Sequence, residues 1–335
     1  MVFNQYLNKT YTHINKAATS LNKSSSITKL FVLFLILLSM CCLFNSFNTS
    51  NFSLVESFDN KNKKKYVKKL DADIYDDFYS KYYDPIHLNK ARHEFEFDKI
   101  ASLSKKTNDT KILDVGCGTG YTVKVFDDKK YNIVGLDKSA DMISYAQETY
   151  PKCEFITNDI LEPSSLDLNS YSHILCLGKT IYEIKDKAAF FESCSSLLST
   201  DGYLIINLAD RDKFNPYVQS KSPDTLYDPV KYGKKVTELI VKFDKDNEYM
   251  SKYKVLNTEN DNTVDSDATP YAVYNDKFSN YKSHTVRENE LNLYMPITTK
   301  ILNLAKSKDF KLYKKFDLKE IGYTNEYIYV FKKLE

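Results

Sequence analysis

The chain has 335 residues, enough for one large domain or two small ones, and an apolar content of 42% allows a sizeable core. Lys and Arg total 47 against 45 Asp and Glu, a net charge of +2, so no nucleic-acid partner is expected. The six cysteines form no CxxC pair and the five histidines lie far apart, so no metal site is expected. Cys117, Cys153, Cys176 and Cys194 read as small buried hydrophobes in a reducing compartment.

Residues 1–29 form a polar tail carrying Lys9, Lys16, Lys23 and Lys29 and no acid. The next fifteen residues, LFVLFLILLSMCCLF (30–44), are uncharged, and the run extends to Phe47. A spanning helix needs about 20 residues, with a range of about 17 to 25. A cleaved signal peptide would need a charged region as long as the whole tail, and no small-residue cleavage site follows the apolar run. The expectation is therefore an N-terminal transmembrane helix over 30–47, an uncleaved single-pass anchor. The basic run KNKKKYVKK (61–69) nearly balances the lysines of the tail, so the positive-inside rule favours a cytoplasmic N-terminus only mildly. Residues 48–71 are polar and read as a linker.

From residue 72 to 335 the pattern is globular. Aromatic and aliphatic residues at helical spacing fill 72–106, and Pro85 is expected to divide two helices. KILDV (111–115) is a buried strand, and TGYTVKVF (119–126) resumes with helical spacing. YNIVGLD (131–137) is a second strand, and SADMISYAQETY (139–150) a helix opened by Ser139. CEFIT (153–157), SHILCLG (172–178) and GYLIINL (202–208) are further strands, with a helix at 186–199 before the last. Strands alternating with helices predict an α/β fold, a doubly wound, mainly parallel sheet. Ligands of such sheets bind beyond the strand C-termini, at the switch point.

That point holds ILDVGCGTGYTV (112–123). Gly116 turns the chain off the strand, and Gly118 and Gly120 leave bare backbone for a ligand to lie against. Asp137 ends the second strand, where a carboxylate can accept hydrogen bonds from a ribose diol.

The spacing G-x-G-x-G after Asp114 resembles motif I of the class I S-adenosylmethionine-dependent methyltransferases. The resemblance extends over about 72–335. GLDKSADMI is similar to the second motif, TNDI (157–160) to the third, and ILCLGKTIY (174–182) to the fourth strand and its exit loop. It implies a seven-stranded Rossmann-like sheet closed by an antiparallel C-terminal hairpin over 309–333, and S-adenosylmethionine as the methyl donor. Asp114 would then reach the methionine part, Asp137 the ribose, Asp159 the adenine amino group, and Ile160 would pack on the ring. Cys117, Lys138, Met142 and Leu177 would line the same donor pocket. DDFYSKYYDPI (76–86) is similar to an aromatic helix that many members fold over the cofactor. His173 stands where the family often has an acid, and Gly178 and Lys179 leave the exit loop without an evident catalytic acid.

The stretch 209–300 is too long for a simple connection and carries alternating runs at 234–244, 248–257 and 269–278. It is expected to be a β-rich insertion after the fifth strand on the substrate side, with a mobile loop at 258–269. Tyr83, Tyr182, His284 and Arg287 are candidate acceptor contacts, though each has a stronger structural reading: a lone His, an ion-paired Arg, or core-edge Tyr packing. The functional expectation is a membrane-anchored methyltransferase acting on a small molecule, a lipid or a protein, its domain facing the cytosol where the family's donor is kept. An inactive methyltransferase-like scaffold is the alternative.

Overall fold

The computed structural model describes Ser25 and residues 65–163, 165–214, 216, 230–232, 236–256 and 269–334. The expected anchor at 30–47 and most of the expected loop at 258–269 lie outside the described residues. Among the described residues no helix is long and apolar enough to cross a membrane.

A seven-stranded sheet forms the centre. Its strands are β2 (Lys111–Val115), β3 (Asn132–Asp137), β4 (Glu154–Thr157), β5 (Tyr171–Cys176), β6 (Leu198–Ala209), β12 (Phe310–Asp317) and β13 (Glu326–Lys333). They lie in the order β12-β13-β6-β5-β2-β3-β4. The five strands β2 to β6 pair in parallel, whereas β13 runs antiparallel to both β6 and β12. The mainly parallel sheet and its antiparallel closing hairpin thus follow the sequence expectation. Helices cover both faces, so central strands are apolar on both: Leu113, Ile174, Leu175, Leu204 and Ile205 are fully buried. Ser139 caps α4 (Ala140–Thr149) by accepting from the Met142 N–H, and Asp186 caps α6 (Lys187–Leu197) in the same way.

A second sheet of six strands stands beside the first. Its strands are β1 (Lys65–Leu70), β7 (Val230–Tyr232), β8 (Val236–Lys242), β9 (Asn247–Val255), β10 (Ala272–Asn280) and β11 (Thr285–Leu293), in the order β1-β11-β10-β9-β8-β7. Strands β7 to β11 come from the insertion after β6 and pair antiparallel. Strand β1 comes from the N-terminal side and joins the edge in parallel. This corrects the linker boundary: KYVKKL (65–70) is an edge strand, and Asp71–Ile74 a 3-10 turn. Lysines suit an exposed edge, and their polarity disguised the strand.

Next comes α1 (Asp77–His87), which runs straight through Pro85. The break falls later, at Leu88, before Asn89 caps α2 (Lys90–Ala101). Pro85 is exposed and forfeits only one helical hydrogen bond near the helix end. Together β1, the turn and α1 form a strap, pinned chiefly by Arg287 on β11. One nitrogen, Nη1, donates to both oxygens of Asp76 at 2.9 Å, and Nη2 donates to the Ile74 carbonyl at 2.9 Å. Asp76 also accepts from the Tyr79 N–H and so caps α1. These bonds hold the Asp76 carboxyl below its usual range despite burial that pushes it up.

Arg287→Met should therefore lower stability by roughly 2–3 kcal/mol, because it removes the charged partner of Asp76 and one of the two donors to the Ile74 carbonyl. A urea midpoint unchanged from the native protein would refute this role for the arginine.

Candidate active site

The chain leaves β2 at the switch point between β3 and β5 and enters the glycine loop. Gly116, Gly118 and Gly120 have φ of +70°, +54° and +85°, which side chains disfavour. Their bare faces serve different neighbours. A Cβ on Gly116 would come within 2.4 Å of Thr180 in the exit helix α5 (Thr180–Glu183). A Cβ on Gly120 would strike Phe155 at 2.6 Å and Ala146 at 3.1 Å, so packing alone already requires a glycine here. Gly118 is the least crowded of the three, with the Tyr83 ring at ordinary contact distance, 3.9 Å, from where its Cβ would be. Helix α3 (Tyr121–Asp128) follows, with Gly120 at its N-cap.

The acids stand around this loop. Asp137 Oδ2 accepts from the Gly118 N–H and Oδ1 from the Ser139 N–H, both at 2.9 Å. Each oxygen keeps a second lone pair for a diol. Asp114 is 2% exposed. Burial, then the charges of Glu96 and Asp137, hold its carboxyl well above the usual range. Asp159 is exposed and its carboxylate accepts from the Leu161 N–H, while Ile160 is buried beside it. Cys117, Met142 and Leu177 are buried around the loop, and Lys138 is exposed.

The strap crosses over the loop. Ser139 donates to the Tyr75 carbonyl, the Asp77 N–H donates to Asp141, and Thr119 donates to Asp84. Tyr75, Tyr79, Tyr83 and His87 recur every four residues and share the inner side of α1 and its approach. The Tyr79 hydroxyl lies 2.9 Å from His87 Nε2 and 3.2 Å from Asp276 on β10. Protein packed around His87, then the charge of Lys179, pushes its pKa down, although the residue keeps an exposed edge. Lys179 donates to the Tyr274 hydroxyl at 2.8 Å, and burial lowers its own pKa.

Glu183, which sequence reasoning missed, ends α5. Its Oε2 accepts from the Tyr75 hydroxyl at 2.8 Å, and burial pushes its carboxyl up to about 7. Tyr75, Tyr83, Lys179 and Glu183 are half-buried where the strap meets the glycine loop and α5. Gly178 adds bare backbone there, with nothing within 4 Å of a notional Cβ.

The acceptor candidates from sequence are dispersed. Tyr83 faces Gly118 in the cleft. Tyr182 is buried, its hydroxyl accepting from the Ala209 N–H at 2.7 Å, a structural bond. His284 is exposed in the β10–β11 turn, and Arg287 is buried in the strap clamp. Neither His284 nor Arg287 belongs to the cleft. A separate cavity of about 360 Å³ lies on the other side of α1, lined by Phe78, Tyr82, Phe243 and Phe278. The helix separates it from the glycine loop. Among the described residues no cluster of three or more His, Cys, Asp or Glu could hold a metal.

These residues fit S-adenosylmethionine. Asp137 offers paired acceptors to a ribose, Gly118 places no side chain beside it, and Asp114 is a buried carboxyl two residues before the loop. The strand order, the reversed last strand and the glycine loop at the switch point define a class I methyltransferase fold. The chain belongs to the methyltransferase-domain family, which it matches over residues 106–277. It is similar to the ubiquinone/menaquinone biosynthesis C-methyltransferase UbiE of Campylobacter jejuni, with 30% identity over 119 residues, 32% of this chain and 48% of that one. The chain spans about half the length of the curated relatives it matches. Its fold is similar to that of the CcbJ methyltransferase from Streptomyces caelestis, with a TM-score of 0.57 and 14% identity over 78% of this chain and 98% of that one. The sugar N-methyltransferase KedS8 from Streptoalloteichus has a TM-score of 0.50 and 13% identity, over 83% of this chain and 96% of that one.

The two glycine neighbourhoods predict different outcomes. Gly120→Ala should cost about 2–4 kcal/mol, from overpacking against Phe155 plus backbone strain. Gly118→Ala should cost about 1 kcal/mol, from strain alone. Equal losses in chemical denaturation would contradict the assignment of Gly120 to packing.

Proposed function

We propose that the chain is an S-adenosylmethionine-dependent methyltransferase acting on a small molecule held between the strap and the glycine loop. The observation that carries this reading is the donor cradle: Gly118 with no side chain under the Tyr83 ring, Asp137 bonded to that glycine, and Asp114 buried two residues before the loop. When bound, the donor supplies a methyl group already activated on a sulfonium. What remains for the chain is alignment and exclusion of water. Asp137 orients the ribose, Tyr83 covers the open glycine, and the strap closes the cleft above them. An enclosed cleft favours a small acceptor over a protein side chain. Among similar folds, KedS8 is described as a sugar N-methyltransferase, which supports the same class. The apolar run 30–47 would tether the enzyme to a membrane. Free thiols at Cys117, Cys153, Cys176 and Cys194 support a cytosolic side for the domain.

Calorimetry on the full chain in detergent should show saturable binding of S-adenosylmethionine and S-adenosylhomocysteine, and incubation of donor labelled in its methyl group with an extract should place label in the small-molecule fraction. Absence of binding would defeat the enzymatic reading. Binding without turnover on any fraction would favour the scaffold, and label in protein would overturn the acceptor class. Deletion of residues 30–47 should release the chain from alkaline-washed membranes, and retention of the deleted form would remove the anchor.

A further inference from the structure

Helix α5 brings a carboxylate to the cleft that no motif announces. Thr180 and Glu183 are three residues apart and share a helix face. That face is turned to the glycine loop, because Thr180 presses on Gly116. Ile181 and Tyr182, on the other side, are buried in the core. Glu183 accepts from the Tyr75 hydroxyl, and the Tyr75 carbonyl accepts from Ser139, two residues after Asp137. The carboxylate is thus held among the start of the glycine loop, the ribose acid and the strap. The charged and titratable groups around it are Tyr75 and Tyr83 from the strap, Asp137 and Lys138 from the end of β3, Cys176 at the end of β5, and Lys179 beside its own helix.

We propose that Glu183 stands at the point of methyl transfer and takes the proton that the acceptor gives up. The inference rests on the methyltransferase reading above and narrows it to acceptors with a removable proton on nitrogen or oxygen. In that step a bond forms between the acceptor atom and the methyl carbon. The carbon–sulfur bond breaks and its electron pair returns to sulfur. The N–H or O–H proton passes to the Glu183 carboxylate, so the positive charge lost at sulfur is matched by the negative charge lost at Glu183. The hydrogen bond from Tyr75 fixes which oxygen is engaged and leaves the other to face the acceptor.

Two donor analogues test this without knowledge of the acceptor. Sinefungin carries an amine where the methyl group would be, and S-adenosylhomocysteine carries nothing there. Calorimetry on the full chain at pH 8 should show sinefungin binding the more tightly. Glu183→Gln should reduce that preference about tenfold, the equivalent of one pKa unit of charge interaction, and leave S-adenosylhomocysteine affinity within about twofold. Tyr75→Phe should keep the preference, because the carboxylate remains. In the native protein the preference should grow from pH 6 to pH 8, since Glu183 gains its charge as pH rises through about 7. An unchanged preference in Glu183→Gln that still binds S-adenosylhomocysteine would overturn the assignment. If that variant does not fold, a pH-independent preference in the native protein would do so. Failure of native protein to bind S-adenosylhomocysteine would instead defeat the methyltransferase reading itself.

Discussion

The clamp of Arg287 on Asp76 is the interaction on which the site depends. Three bonds from one guanidinium fix the start of α1 against β11. Every group that the strap delivers to the cleft lies within a few turns of that clamp. Tyr75 precedes Asp76, and Tyr79, Tyr83 and Asp84 follow it. The guanidinium also lies 4.7 Å from the centre of the Phe78 ring, so its stem and planar face are used in packing as well as its charge. Because Asp76 caps the helix while it binds the arginine, helix start and helix placement are set by one carboxylate.

The glycine loop shows how one short motif answers several constraints at once. Gly116 makes room for the exit helix, Gly120 for Phe155 from β4, and Gly118 lies under the Tyr83 ring. Spacing alone cannot separate these duties, since all three residues share left-handed backbone. The consequence is electrostatic too. Packing the exit helix against Gly116 brings Glu183 towards Asp137 and makes the cleft rich in acid. Burial raises the proton affinity of Asp114, Asp137 and Glu183 alike. A cleft of that character suits a ligand that brings positive charge.

The central sheet was legible because its strands are buried on both faces and read as continuous apolar runs between helices. The second sheet was only partly legible. Strand β9 alternates, with Tyr249, Ser251 and Tyr253 buried, and was expected. Strand β11 places Arg287 and Asn289 on its buried side, where their partners are Asp76, Ile74 and each other, so its pattern looks polar and it was missed. Strand β1 was missed because an edge strand rich in lysine has the composition of a tether. In the candidate site, Asp114, Gly118 and Asp137 followed from motif spacing. Glu183 could not, because it belongs to a four-residue helix and gains its meaning only from Tyr75, more than a hundred positions away.

The parallel seam between β1 and β11 bears on where this protein can be cut. Residues 65–70 continue directly into the strap, yet they look dispensable in composition. A fragment begun at residue 72 would do more than lose a leash. It would strip β11 of its neighbour along six paired positions and bare a ribbon of unmet amide and carbonyl groups to any passing strand. Trimming that respects the architecture must stop before Lys65.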